Sequence, residues 1–140
     1  MRTLYVETSA LLRVLFGEAT APHIRGLMDS SDVLVSSVLT VLEAGRALRR
    51  AEADGTLSAA DCSRLDGLLA AAAGTWSLLE ITAQVRSRAA GAFPVEPVRT
   101  LDAVHLASAL ELLRIYPDLV VLSFDRRILD NLGALGLSAA

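Results

Sequence analysis

Four carboxylates in this chain stand where carboxylates are costly. Glu7 follows the apolar run Leu4-Tyr5-Val6, and Glu43 lies within Val41-Leu42-Glu43-Ala44. Asp102 lies within Leu101-Asp102-Ala103-Val104, and Asp125 follows Leu122-Ser123-Phe124. The chain has sixteen acids, and most of the others have polar company: Glu52 and Asp54 near Arg49 and Arg50, Asp61 in a helix cap, Asp29 and Asp32 in a turn. An unpaired carboxylate among apolar groups is unfavourable, and several brought together repel unless a cation intervenes. An all-oxygen set without a paired His or Cys points to a hard ion, Mg²⁺ or Mn²⁺, rather than zinc. Such an ion keeps waters, polarises a phosphoryl oxygen and lowers the pKa of an attacking water, which suits phosphodiester hydrolysis.

Hydroxyls and guanidiniums would supply the hold on a phosphate. Thr8, Ser9, Ser123 and Arg126 are the side chains placed for it, and Arg13, Arg46 and Arg127 could serve phosphates or a partner's acids. Thr8 or Ser9 is equally suited to cap a helix. Each acid alone also has a structural reading: Asp102 and Asp125 as acids at helix starts, Glu43 paired with Arg46 three residues on, Glu7 as a strand end. Their shared placement at the junctions of elements favours the site. His105, three residues after Asp102, is open to two readings, a general base or a packed and hydrogen-bonded histidine. His23 carries no signal.

The elements that must position these groups alternate. Leu4–Val6, Val33–Val35, Trp76–Ile81 and Leu119–Leu122 read as strands, with a last short one near Gly136-Leu137-Ser138. Helices are expected over Ser9–Phe16, from Pro22 to Ser30, from Val38 to Asp54, from a Ser58 cap to Gly74, from a Thr82 cap through Arg88, from a Thr100 cap to Ile115, and onward from Asp125. This alternation predicts an α/β fold, a mainly parallel central sheet flanked by helices, as one domain over residues 1–140. If the sheet is parallel, Glu7, Glu43 and Asp125 fall on the same edge, and Asp102 and Asp125 open helices, where the helix dipole favours negative charge.

Composition narrows the class. Net charge is -3 and pI about 5.3, so no overall basic field draws the chain to nucleic acid. All 13 basic residues are Arg, which removes any mechanism that needs a lysine. That weighs against a phosphoryl-accepting receiver domain. A haloacid-dehalogenase-like phosphatase would place two acids two residues apart after the first strand, whereas Glu7 is followed by Thr8-Ser9-Ala10. The single cysteine, Cys62, excludes an internal disulfide and fits a reducing compartment. No signal peptide is expected at the N-terminus. Hydrophobic residues make up 53% of the chain and mean hydropathy is +0.48, yet charged, Gly or hydroxyl residues break every apolar run. A soluble, cytoplasmic chain without a membrane partner is expected, its surplus apolar surface serving an oligomer or a partner groove.

The motifs have a family likeness. Glu7-Thr8-Ser9-Ala10-Leu11 resembles the opening motif of PIN-domain ribonucleases. Leu42-Glu43 with Arg46-Ala47-Leu48 resembles their second acidic motif, Leu101-Asp102-Ala103-Val104-His105-Leu106-Ala107 their third, and Leu122-Ser123-Phe124-Asp125-Arg126-Arg127 their fourth. The order and the chain length are similar to VapC-type toxins of toxin–antitoxin pairs. The resemblance implies a PIN fold and Mg²⁺- or Mn²⁺-dependent endoribonuclease activity on an RNA of the tRNA or rRNA class. It also implies a homodimer and a small cognate antitoxin. By the same likeness Glu7, Glu43, Asp102 and Asp125 would be the catalytic, metal-site acids. Ser9 and Ser123 would stand behind the acids or on the substrate side.

One position departs from the pattern. The family's first acid is normally Asp, and here it is Glu7. The extra methylene changes the angle at which the carboxylate can meet an ion, and Mg²⁺ tolerates poor geometry badly. Two expectations follow: an active nuclease whose site has adjusted, or a catalytically weakened PIN-like protein that binds antitoxin or RNA without cutting.

Overall fold

Strand β1 (Thr3–Val6) is buried at every position, so the sheet must be covered on both faces. A computed structural model describing residues 1–140 shows how. Side chains of a strand point alternately to opposite faces. Leu4 and Val6 accordingly join one apolar cluster with Leu11, Leu48, Leu65 and Leu122, and Tyr5 joins another with Val35, Leu106, Val121 and Ile128. Each fully buried aliphatic side chain contributes about 1.5–3 kcal/mol, and β1 feeds both clusters.

The chain continues through α1 (Thr8–Leu15), α2 (Ala21–Asp29), β2 (Val33–Ser37), α3 (Val38–Ala53) and α4 (Ala59–Thr75). Next come β3 (Ser77–Leu79), α5 (Ala83–Ala89), α6 (Thr100–Leu113), β4 (Leu119–Leu122), α7 (Arg126–Leu132) and β5 (Ser138–Ala139). The five strands form one sheet in the order β3-β2-β1-β4-β5, and every pairing is parallel. Parallel strands need crossovers, and the helices supply them. No helix is long and apolar enough to cross a membrane.

Several ends differ from the sequence-based expectation, each for a local reason. Ser36 and Ser37 extend β2 instead of bounding it, because the Ser36 hydroxyl donates to Val6 O at 2.6 Å inside the sheet. The third strand is shorter than Trp76–Ile81. Thr100 does not cap α6; the cap position is Arg99, whose backbone N–H donates to Asp102 Oδ2 at 3.3 Å. Ser58 and Thr82 do cap α4 and α5, accepting from the backbone N–H of Asp61 and Val85. Gly17 and Gly136 take φ of 64° and 76° where α1 and the last helical turn stop, a region glycine enters without penalty.

Helix α6 is buried without interruption from Asp102 to Ala109. A helix apolar on nearly all sides is a core helix. It lies between the sheet cluster of Tyr5 and Val121 and a smaller cluster of Leu39, Val85, Val104 and Ala107. That placement takes three polar side chains, Asp102, His105 and Ser108, into the interior.

Candidate active site

In an open parallel sheet, sites form beyond the C-terminal ends of the strands where the chain order reverses. Here the chain leaves β1 toward β2 and later returns on the other side as β4. Glu7 follows β1 directly, and its backbone N–H donates to Leu122 O at 3.0 Å. Ser123 and Asp125 follow β4. The switch point is therefore lined by an acid, a hydroxyl and a second acid.

Glu7 is only 4% exposed and is itself the N-cap of α1, a role expected of Thr8 or Ser9. Its Oε2 accepts the Ser9 backbone N–H at 3.0 Å, the Ser9 hydroxyl, and the Ser123 hydroxyl at 2.8 Å. Ser9 Oγ in turn accepts the Phe124 N–H at 2.8 Å, and Ser123 Oγ the Asp125 N–H at 3.1 Å. The buried carboxylate is tolerated because these donors satisfy it.

Glu43, on the second turn of α3, reaches across to α1 and α6. Its Oε1 accepts from the Thr8 hydroxyl at 2.6 Å and from His105 Nε2 at 2.7 Å. The alternative pairing with Arg46 is not formed; Glu43 pairs with His105 instead. Burial works to raise the Glu43 pKa, but the His105 and Thr8 hydrogen bonds outweigh it and hold the group below its ordinary value. His105 Nε2 also stands 3.9 Å from Glu7 Oε1, so one imidazole faces two carboxylates.

Asp102 and Asp125 make a second pair. Asp102 is displaced upward in pKa, first by burial and then by the negative charge of Asp125. The Arg99 backbone N–H opposes that shift. Asp125 caps α7, accepting from the Arg127 N–H at 2.9 Å. Arg126 points to solvent and lies 3.6 Å from Asp130.

Each of the four carboxylates has protein donors on one oxygen and none on the other: Glu7 Oε1, Glu43 Oε2, Asp102 Oδ1 and Asp125 Oδ2 carry no donor. In chemistry that donor set suits a hard cation. In geometry it does not fit one as arranged, because no three of the His, Cys, Asp and Glu side chains converge as metal ligands. The acids share an edge of the sheet as two pairs, Glu7 and Glu43 about His105 and Asp102 with Asp125, not as a single ring.

The sequence reading missed the buried residues that hold these acids. Tyr5 lies within hydrogen-bonding distance of His105 Nδ1, 2.9 Å, and the Thr40 and Ser36 hydroxyls meet at 2.8 Å. A tyrosine inside a strand buried on both faces was a signal, since a buried phenol needs a partner. Asn131, fully buried, accepts from the Val95 N–H and donates to Val95 O, at 2.8 and 2.9 Å, pinning the loop before α6.

The family model described as PIN domain matches residues 4–135. The chain belongs to the PIN-domain family. Its relatives place it among the VapC-type PIN ribonuclease toxins: it is 31% identical to Ribonuclease VapC35 of Mycobacterium tuberculosis over 138 residues, 96% of this chain and 93% of that one. Among solved structures, the PIN chain is similar in fold to M. tuberculosis VapC20, described as a sarcin–ricin loop cleaving toxin. The TM-score is 0.67 at 17% identity, covering 98% of each chain. It is also similar in fold to a chain of a toxin–antitoxin complex from Klebsiella pneumoniae, with TM-score 0.62, 16% identity, and 87% and 86% coverage. The sheet order and helix cover described above are those of this PIN-domain chain, as the motifs led one to expect.

Proposed function

We propose that this VapC-type PIN protein takes RNA and a small cognate antitoxin at its acidic cleft, with metal-dependent cleavage weakened by the glutamate at position 7. One observation carries the reading. Glu7 Oε2 is occupied by the Ser9 N–H and by two hydroxyls, of Ser9 and Ser123, so the carboxylate acts as a helix cap turned toward its own loop. An aspartate there, one methylene shorter, would leave the carboxylate in a different position relative to the other acids. The toxin–antitoxin complex and the sarcin–ricin loop cleaving toxin among the structural neighbours support an antitoxin and an RNA of the rRNA class as partners. A homodimer built from the one domain, residues 1–140, belongs to the same reading. Thr8, Ser9, Ser123 and Arg126 are the side chains we assign to the substrate side.

A second reading has its own support. Burial, and after it the charge of Asp125, raise the Asp102 pKa, a tension that a Mg²⁺ or Mn²⁺ ion would relieve. On that reading Glu7, Glu43, Asp102 and Asp125 are metal-site acids of an active endoribonuclease. Cleavage of a single-stranded RNA with Mn²⁺, by the wild type and by Glu7→Asp, separates the two. Weakened catalysis expects Glu7→Asp to be faster by about tenfold, with EDTA and Asp102→Asn abolishing cleavage in both. A wild type as fast as the Asp variant overturns the first reading and leaves the second.

A further inference from the structure

We propose that Glu43 and Tyr5 together fix the tautomer of His105, Glu43 by accepting from Nε2 and Tyr5 by donating to Nδ1, and that His105 so fixed is a positioning residue that holds Glu43 with one oxygen engaged and the other facing the cleft.

His105 is 2% exposed, so both ring nitrogens must find protein partners. A carboxylate can only accept, so the 2.7 Å contact between Nε2 and Glu43 Oε1 requires the hydrogen to sit on Nε2. In the neutral ring Nδ1 then carries a lone pair and needs a donor. Tyr5 is the group at that position, 2.9 Å away and wholly buried. Two hydroxyls beside the phenol, those of Ser36 and Ser108, have their hydrogens directed elsewhere. Ser36 donates to Val6 O at 2.6 Å and Ser108 to Val104 O at 2.7 Å. With those hydrogens engaged neither serine donates to the phenol, and His105 Nδ1, with its lone pair, stands at 2.9 Å to take the phenol hydrogen. The two buried rings meet in a T-shaped contact, with an interplanar angle of 85° and centroids 6.1 Å apart.

The order Tyr5 O–H to His105 Nδ1, His105 Nε2–H to Glu43 Oε1, runs from the centre of the sheet to the cleft. Thr8 supplies the second donor to the same oxygen at 2.6 Å. Two donors on Oε1 set the carboxylate plane and leave Oε2 without a protein donor, on a side chain that retains 26% exposure. A histidine buried for packing alone would not require its hydrogen on a particular nitrogen.

The consequence for RNA chemistry rests on the cleft reading above; the tautomer does not. The chain has two histidines, so ¹⁵N imidazole spectra at neutral pH can be assigned with a His23→Gln variant. The wild type should show His105 protonated on Nε2 with an unprotonated Nδ1, and Tyr5→Phe should shift the ring toward a mixture of tautomers. Cleavage of a labelled single-stranded RNA with Mn²⁺ is the second arm. His105→Gln, which keeps a donor for Glu43, should retain kcat within about threefold, and His105→Leu should lose about tenfold in kcat with KM unchanged. A wild-type Nδ1–H tautomer, or a tautomer indifferent to Tyr5→Phe, overturns the proposal. So does a Gln variant as impaired as the Leu variant. A wild type that cuts no RNA sinks the nuclease reading, and the spectra still decide the tautomer.

Discussion

The Ser123 hydroxyl donates to Glu7 Oε2 at 2.8 Å, joining two residues 116 positions apart in the chain. The bond ties the end of β4 to the end of β1 at the point where the sheet's chain order reverses. Because Ser123 Oγ also accepts the Asp125 N–H, one hydroxyl links the two acids that follow those strands.

Ser123→Ala should therefore cost more than the loss of one surface hydrogen bond. It strips a donor from a buried carboxylate and an acceptor from the start of α7. Denaturant unfolding should register a loss of about 1–2 kcal/mol. A loss within about 0.3 kcal/mol of zero would mean that water replaces the hydroxyl freely and that the link is incidental.

Asp102→Asn should stabilise the fold at neutral pH. A carboxyl whose folded pKa lies above its unfolded value binds its proton more tightly when folded. It thus detracts from stability at high pH, and the penalty disappears as pH falls below the ordinary Asp value of 3.8. The amide keeps an acceptor for the Arg99 N–H and removes the charge facing Asp125. Discounted for partial solvation, the gain is on the order of 0.5 kcal/mol, or about 2 °C in Tm. Scans at pH 7 and pH 3.5 check the sign: the advantage over the wild type should be present at the first and absent at the second.

Glu43→Gln should show the opposite dependence. The folded pKa of Glu43 is depressed, so its ionisation contributes stability above the unfolded value near 4.5 and loses it as pH falls through the folded value. At pH 7 the variant should be weaker by about 0.5–1 kcal/mol, a figure reduced because the side chain is partly solvated. The difference should narrow as pH falls below 4.5 and close once it has passed the folded value. A constant gap across that range would place the effect in packing and not in the charge held by His105 and Thr8.

Much of the arrangement was legible in the residues. Short β-rich runs alternating with capped helices required crossovers and so a parallel sheet, and Leu119–Leu122 and Leu4–Val6 were plain as strands buried on both faces. The acids stood out because each interrupted an apolar stretch. Less was legible at the cap of α1. Ser and Thr are the commoner caps, yet the chain uses Glu7, because Ser9 and Ser123 both aim hydroxyls at it from positions that local propensity cannot see. The same limit hid Tyr5, which reads as one more strand residue until α6 brings His105 over it.

What the sequence determined by itself, then, was the supply: which carboxylates lie beside which strand and helix ends, a consequence of local periodicity and turn chemistry. Only the tertiary structure decided the pairing, setting Glu43 against His105 and Asp102 against Asp125 and binding Glu7 to Ser123. Those choices depend on strand order and on the depth of α6, which follow from packing the two faces of one sheet and leave no trace in the spacing of residues along the chain.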